Sequence, residues 1–152
     1  MDLILKIESV QDPNETSVGH RSTFEVAARG SFIEEGFRIF YRETAESGVE
    51  ETITCLDVFS DRIELKRTGS VRQETCFKIK SLCTFLYHTP YGPISMSANT
   101  QKLEISYGNH LPETILLAYE LSNDEGKIAD CQLHIHIQEA DDLNETTTCH
   151  PA

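Results

Sequence analysis

The sequence has no apolar run that approaches the ~20 residues a helix needs to cross a bilayer. Its first ten residues, MDLILKIESV, are interrupted by Asp2, Lys6 and Glu8. A secretory leader needs an unbroken apolar stretch behind a basic one, so none is expected here. Five cysteines, Cys55, Cys76, Cys83, Cys131 and Cys149, are scattered and odd in number, and no two form a Cys-x-x-C pair. That excludes a disulfide framework and the usual zinc and redox spacings, and it predicts free thiols in a reducing cytoplasm. The sequons at Asn14 and Asn144 then carry no meaning, because glycosylation needs a secretory route. Basic charge is also scarce: 13 Lys and Arg stand against 25 Asp and Glu, a formal net charge of −12. Nucleic acid and anionic membranes attract basic proteins, so neither is expected as a partner.

What basic charge there is clusters. Arg62, Lys66, Arg67, Arg72, Lys78 and Lys80 fall within 19 residues that hold only Glu64 and Glu74 as acids, and after Lys80 only Lys102 and Lys127 follow. Two readings stay open: a strand face with cross-strand ion pairs, or an attraction for a small anion.

The chain, at 152 residues, suits one domain with an ordinary core. Helical periodicity is nearly absent and period-two alternation is nearly everywhere. Leu3, Leu5 and Ile7 share a face. So do Phe24, Val26, Ala28, Gly30 and Phe32, then Phe37, Ile39 and Tyr41, then Ile63, Leu65 and Arg67. The same holds for Leu103, Ile105 and Tyr107, for Ile115, Leu117, Tyr119 and Leu121, and for Cys131, Leu133, Ile135 and Ile137. One buried and one wet face per strand is what such alternation requires. The connections IEEGF, TAESGVE, FSDRI, YGNHLPE and SNDEGK are short and rich in Gly, Asn, Asp and Ser, which predicts hairpins. The fold class is therefore all-β: about eight to ten antiparallel strands closing into an up-and-down barrel over residues 1–140, with a sandwich as the alternative. Residues 11–22 read as a polar loop. Residues 141–152 read as an acidic, disordered tail.

One stretch stands out: YHTPYGPI, from Tyr87 to Ile94. Pro90 and Pro93 fix φ and lack an N–H, and Gly92 permits positive φ, so the stretch predicts a stiff bend between two strands. Tyr87 and Tyr91 are not needed for the bend. They could close one barrel end or contact a ligand there, each with its hydroxyl as a polar handle.

Together with RTGSVRQETCF and ILLAYELSNDEGKIADCQLHIHIQE, this stretch resembles the YwiB-like family, a bacterial domain of unknown function with a calycin-like (lipocalin-like) barrel. The motifs carrying the resemblance are Arg67-Thr68-Gly69, Phe77 and the Tyr-x-Thr-Pro-Tyr-Gly segment from Tyr87 to Gly92. The resemblance runs from about Leu3 to Glu139, weakest in the first third. Where the family usually has Asn-Gly in its last hairpin, this chain has SNDEGK, and KIKSL replaces a turn that often holds Gly. The resemblance implies a calycin-like barrel in a bacterial cytoplasm and no activity. A secreted lipocalin is not the expectation, since the chain has no Trp for the usual Gly-x-Trp signature.

Parity points Arg67 inward with Ile63 and Leu65. An inward guanidinium must find an acceptor, either a protein carboxylate or a ligand anion. Arg72 follows the Thr68–Ser70 turn and could join it. His134 and His136 share a strand face, but parity puts Cys131 on the other, so no zinc ligand set forms. There is no nucleophile elbow, phosphate loop or other cofactor motif.

The leading expectation is a non-enzymatic binding protein that holds a small amphipathic or anionic ligand at the barrel mouth through Arg67, Arg72, Tyr87, His88 and Tyr91. The alternative is a filled barrel that docks a protein partner, or a second copy of itself as a homodimer, through its outer surface. A hydrolase or isomerase in the barrel mouth is a third reading. It would need a titrating group perturbed inside a cleft.

Overall fold

The computed structural model describes residues 1–13, 20–44 and 51–140. Ten strands follow in chain order: β1 (Asp2–Pro13), β2 (His20–Ile33), β3 (Gly36–Arg42), β4 (Thr52–Phe59), β5 (Arg62–Gly69), β6 (Gln73–Lys78), β7 (Leu82–Thr89), β8 (Gly92–Gly108), β9 (Leu111–Asn123) and β10 (Gly126–Glu139). They form one antiparallel sheet in the order β6-β5-β4-β3-β2-β1-β10-β9-β8-β7. Every strand lies beside its chain neighbour except at one place, and the first and last strands pair with each other. The result is an up-and-down barrel that almost closes between β6 and β7. These two consecutive strands share a single bridge, Arg72 with His88.

The alternation of the sequence sets the register. Leu5 faces Val26 on one side and Ile137 on the other, Ile39 faces Leu56, and Leu56 faces Leu65. Residues directly opposite in an antiparallel pair point to the same side, so each inward aliphatic fixes its neighbours. A slip by one residue would turn the whole apolar set to solvent. Leu3, Leu5, Ile39, Ile115, Leu117 and Ile135 are almost fully buried, each contributing roughly 1.5–3 kcal/mol by leaving water.

Three details depart from the sequence reading. Residues 11–22 are not one loop: β1 continues through Gln11, Asp12 and Pro13, and β2 begins at His20, because Gln11 pairs with His20 in the ladder. Residues 14–19 lie outside the described residues, as do 45–50 within TAESGVE and the tail 141–152. The segments ISMSAN and KLEISY belong to one strand, β8, which bulges between Thr100 and Lys102 instead of turning. Phe32 keeps the expected parity but sits near a strand end, 61% exposed, while Tyr107 lies just past a register shift after Ser106 and is 53% exposed. Phe32 rests edge-on against Phe37, ring centroids 5.1 Å apart.

The two ends of the barrel differ. One is closed by turns at Glu34–Glu35, Ser60–Asp61, Ile79–Ser81 and Asn109–His110, and here Phe37, Val58, Ile63, Leu111 and Ile137 fill the interior. At the other, toward the turns at Ser70 and at Pro90–Tyr91, the interior lining becomes polar.

Candidate functional site

The inner face of β3 runs Phe37, Ile39, Tyr41, and the same parity carries Glu43 inward just past the strand. Its backbone N–H donates to the Thr52 carbonyl at 2.8 Å, which holds the extended direction. Its carboxylate is 1% exposed and accepts from the Thr54 hydroxyl at 2.5 Å. Arg67, inward on β5 as parity required, lies with Nε 3.6 Å from Glu43 Oε2. The same Nε reaches the Thr54 hydroxyl at 3.4 Å, and Nη1 donates to Gln73 Oε1 at 3.1 Å. Gln73 in turn donates to Thr75 Oγ1 at 2.8 Å. A buried charge is tolerated only when paired and hydrogen-bonded, and this chain of contacts supplies both.

Glu43, Arg67 and Gln73 line a cavity of about 270 Å³ together with Tyr41, Tyr87, Tyr119, Phe77, Leu133 and others. Phe77 and Tyr119 meet with ring centroids 4.8 Å apart. Burial, then the nearby Glu43 charge, pushes the Tyr41 hydroxyl well above its usual range. Burial does the same to Tyr119, with Cys131 adding to it. Cys131, opposite Tyr119 in the ladder, is pushed up to about 11, mainly by burial. At neutral pH these three stay protonated. The interior is thus neutral in sum: one ion pair, hydroxyls, a thiol, and apolar walls.

Outside, between β6 and β7, a cleft of about 590 Å³ is lined by Lys66, Arg67, Arg72, Gln73, Glu74 and His88, among others. Arg67 and Gln73 border both the cleft and the cavity. The basic segment resolves mostly into ion pairs. Arg62 reaches Glu64 at 2.7 Å and Asp61 at 2.9 Å, while Lys66–Glu74 and Lys78–Asp61 stand at 3.6 Å. Among the described residues, no carboxylate pairs with the exposed guanidinium of Arg72.

Of the five residues the sequence offered, the structure brings four together and leaves one apart. Arg67 and Tyr87 line the cavity, and Arg72 and His88 line the cleft. Arg72 and His88 also exchange both backbone hydrogen bonds, at 3.0 and 2.9 Å. Tyr91 is 99% exposed at the tip of the β7–β8 turn and borders neither. The turn itself explains its neighbours. The Thr89 hydroxyl donates to the Gly92 carbonyl at 2.9 Å and accepts from Tyr91 N–H at 3.1 Å, while Gly92 takes φ +117°. YHTPYGPI is therefore a corner whose first residue reaches inside. Pro93, expected in the bend, is the second residue of β8, opposite His88.

Arg67-Thr68-Gly69 has a comparable cause. Gly69 stands at φ +134°, and a Cβ there would lie 2.2 Å from the Glu51 carbonyl oxygen, so only glycine lets β5 turn beside β4. SNDEGK, which stands in place of the family's usual Asn-Gly, is nevertheless a two-residue turn with Asn123 opposite Gly126, and Gly126 takes the positive φ. KIKSL does differ, with Lys80 at φ 63° in a three-residue turn. Parity also sorted Cys131 inward, 3% exposed, and left His136 exposed on the outer face. Among the described residues no three His, Cys, Asp or Glu are grouped to hold a metal ion. Glu43, Gln73, Thr54 and Tyr119 were not singled out as site residues. Glu43 had a readable signal: an acid at the next inward position after Tyr41 is the acceptor that Arg67 required.

An all-β barrel with a polar interior end and a side cleft defines the class. The particular family follows from the comparisons: residues 5–135 match the family described as "Domain of unknown function (DUF1934)", and the chain belongs to it. A solved structure described as the crystal structure of ywiB protein from Bacillus subtilis superposes with a TM-score of 0.72 at 14% identity, covering 89% of this chain and 90% of that one. The likeness extends to the fold. Among curated proteins there is no match. Among the described residues no helix is long and apolar enough to cross a membrane.

Proposed function

We propose that this chain is a non-enzymatic binding protein for a small amphipathic anion. The observation that carries the reading is the pair of shared residues, Arg67 and Gln73, which border both the interior cavity and the basic cleft. A ligand lying across them places an apolar body against Phe77, Leu133 and Tyr119 and an acidic head toward Arg72, Lys66 and His88. Arg67 is not the anion anchor, because Glu43, Thr54 and Gln73 already engage it. Arg72, with no such commitment, takes that role. The cavity limits size. At about 270 Å³ it falls just under the ~300–1,000 Å³ of ordinary small-molecule pockets, and below two cavities of the ~150 Å³ kind that admit benzene. One bicyclic ring or a short acyl chain fits. The four described cysteines are free thiols, which supports a reducing cytoplasm as the setting.

The test is native mass spectrometry of the protein purified from its own cells. The expected result is a co-purifying mass that disappears in Arg72→Ala and in Tyr87→Phe, both still folded. A clean apoprotein from wild type overturns the reading.

A second reading rests on a separate feature. Ile4, Ala27, Phe40 and Ile53 line an apolar groove of about 440 Å³ on the outer face of β1–β4, with Phe40 and Ile53 40% and 44% exposed. The same spectra test it, since a discrete dimer abolished by Phe40→Glu would favour an interaction protein.

A further inference from the structure

The β6–β7 connection has every reason to be an ordinary hairpin and is not one. Arg72 opposite His88 fixes a register whose continuation places Glu74 opposite Leu86 and Lys78 opposite Leu82. At the far end the turn agrees with it: Ser81 N–H donates to the Lys78 carbonyl at 3.0 Å, leaving three residues to span the gap. The register is therefore consistent from both ends. Between them, however, no β6 residue pairs with a β7 residue, although β6 is fully paired to β5 and β7 to β8.

Alternation along β6 shows which groups face this seam. Arg72 uses both backbone groups across it, so Glu74 and Cys76 also point that way. The Cys76 N–H is met not by a carbonyl but by the Cys83 sulfur, at 3.3 Å. By the same count the edge of β7 presents Thr84 and Leu86. Glu74, Thr84 and Leu86 all border the basic cleft, and that cleft shares Arg67 and Gln73 with the interior cavity. Elsewhere the wall is continuous: each of the other nine strand neighbours is joined by a ladder of six or more residue pairs.

We infer that the β6–β7 seam is a side portal, through which an amphipathic carboxylate reaches the cavity and in which its carboxylate stays, beside Arg72 and Lys66. The N–H groups of Glu74, Thr84 and Leu86, which no ladder takes up, are further donors for it, and the Arg72–His88 bridge and the Ile79–Ser81 turn limit how far the edges part. As a ligand site the portal rests on the binding reading above; as an opening in the wall it does not.

Cys131 reports on the opening without any ligand. It is 3% exposed and inward, opposite Tyr119, which lines the cavity. With Cys55, Cys76, Cys83 and Cys149 replaced by serine, its alkylation by iodoacetamide measures access to the interior. Glu74→Cys and Leu86→Cys, joined by a short bis-alkylating linker while Cys131 is buried, would staple the seam from outside. Ser106→Cys and Thr114→Cys, joined likewise, would staple the β8–β9 ladder, which is already zipped and lines neither the cleft nor the cavity at that point. The expected result is Cys131 alkylation slowed about tenfold or more by the seam staple and little by the ladder staple, since only the seam opens locally. An unchanged rate in the seam-stapled protein overturns the portal. Equal slowing by both staples also overturns it, because access would then come by global unfolding. A fluorescence titration with 2-naphthoate separates the two levels. Binding that the seam staple slows supports portal and ligand class together. Binding at an unchanged rate overturns the portal alone. No binding to the unstapled protein overturns the carboxylate reading while the Cys131 rates still judge the opening.

Discussion

The two ends of this barrel are built from the same alternation and do opposite things with it. At one end the inward positions hold Phe37, Ile39, Val58 and Ile63, and the interior is full. At the other the same faces continue into Glu43, Thr54, Arg67 and Gln73, and a cavity remains. An apolar continuation would have been the simpler core. A buried ion pair is often no more stabilising than packed hydrophobic residues of equal volume, because desolvation offsets the attraction. The polar end is thus hard to explain by stability, and that contrast is what supports a site there.

The sharpest way to break the contrast is to shorten one side chain at the packed end. Ile39 is fully buried, with Leu56 directly opposite. Ile39→Ala should cost about 2–5 kcal/mol, the range for removing an aliphatic from a core that cannot collapse around the gap. Urea denaturation would read this as a lower midpoint with an unchanged slope. A loss under about 1 kcal/mol would mean that the packed end is loose, and the two ends would no longer differ in kind.

The polar end should respond in the reverse sense. Glu43→Leu alone leaves the Arg67 guanidinium without its carboxylate. Arg67 is 27% exposed and can turn partly to water, so the cost should fall at or below the ~3 kcal/mol lower bound for breaking a buried pair. Adding Arg67→Met should restore most of that loss, since the pair is then replaced by apolar groups of similar length. A double-mutant cycle measures the restoration. If the double variant is less stable than Glu43→Leu alone, the pair is structural, and the polar end loses its claim to be kept for binding.

The packed end was the legible one. Period-two alternation named Leu3, Leu5, Phe37, Ile39, Ile63, Leu65, Ile115 and Ile135 as one inner face, because apolar residues advertise their own burial. The polar end was half legible. Arg67 could be placed inward by counting from Leu65, and Glu43 by counting on from Tyr41, yet the two stand on β5 and just past β3, strands that are not neighbours, and no local pattern brings them together. Tyr87 and Tyr91 looked alike in YHTPYGPI, but a two-residue turn separates an inward position from an outward tip, so only Tyr87 lines the cavity. The seam was not legible at all. KIKSL reads as a hairpin turn and is one; that the strands beyond it stay unzipped depends on closing a ten-stranded sheet, which no local pattern encodes.

The barrel also carries an outward counterpart of the inner pair, and it sharpens the comparison further. Arg38 donates to both oxygens of Asp57, Nε at 2.7 Å and Nη2 at 2.9 Å, between residues opposite each other on β3 and β4. The chemistry matches Glu43–Arg67 while the surroundings are wet, so its effect should be the smallest of the three. The Arg38 hydrogen bond holds the Asp57 carboxyl below its ordinary range, burial opposing it and the Arg38 charge adding to it. A carboxyl with a lowered folded value stabilises the fold fully above its unfolded value of about 3.9 and ceases to as pH falls through the folded value. Asp57→Asn should therefore lower the urea midpoint slightly at pH 7, and the gap from wild type should narrow as pH drops below about 4. High salt should narrow it at pH 7 as well, because an exposed pair is screened. The inner pair is shielded from salt, so the Glu43→Leu loss should persist. If salt removes both losses equally, water reaches Glu43 as freely as Asp57, and the interior end of this barrel is open rather than enclosed.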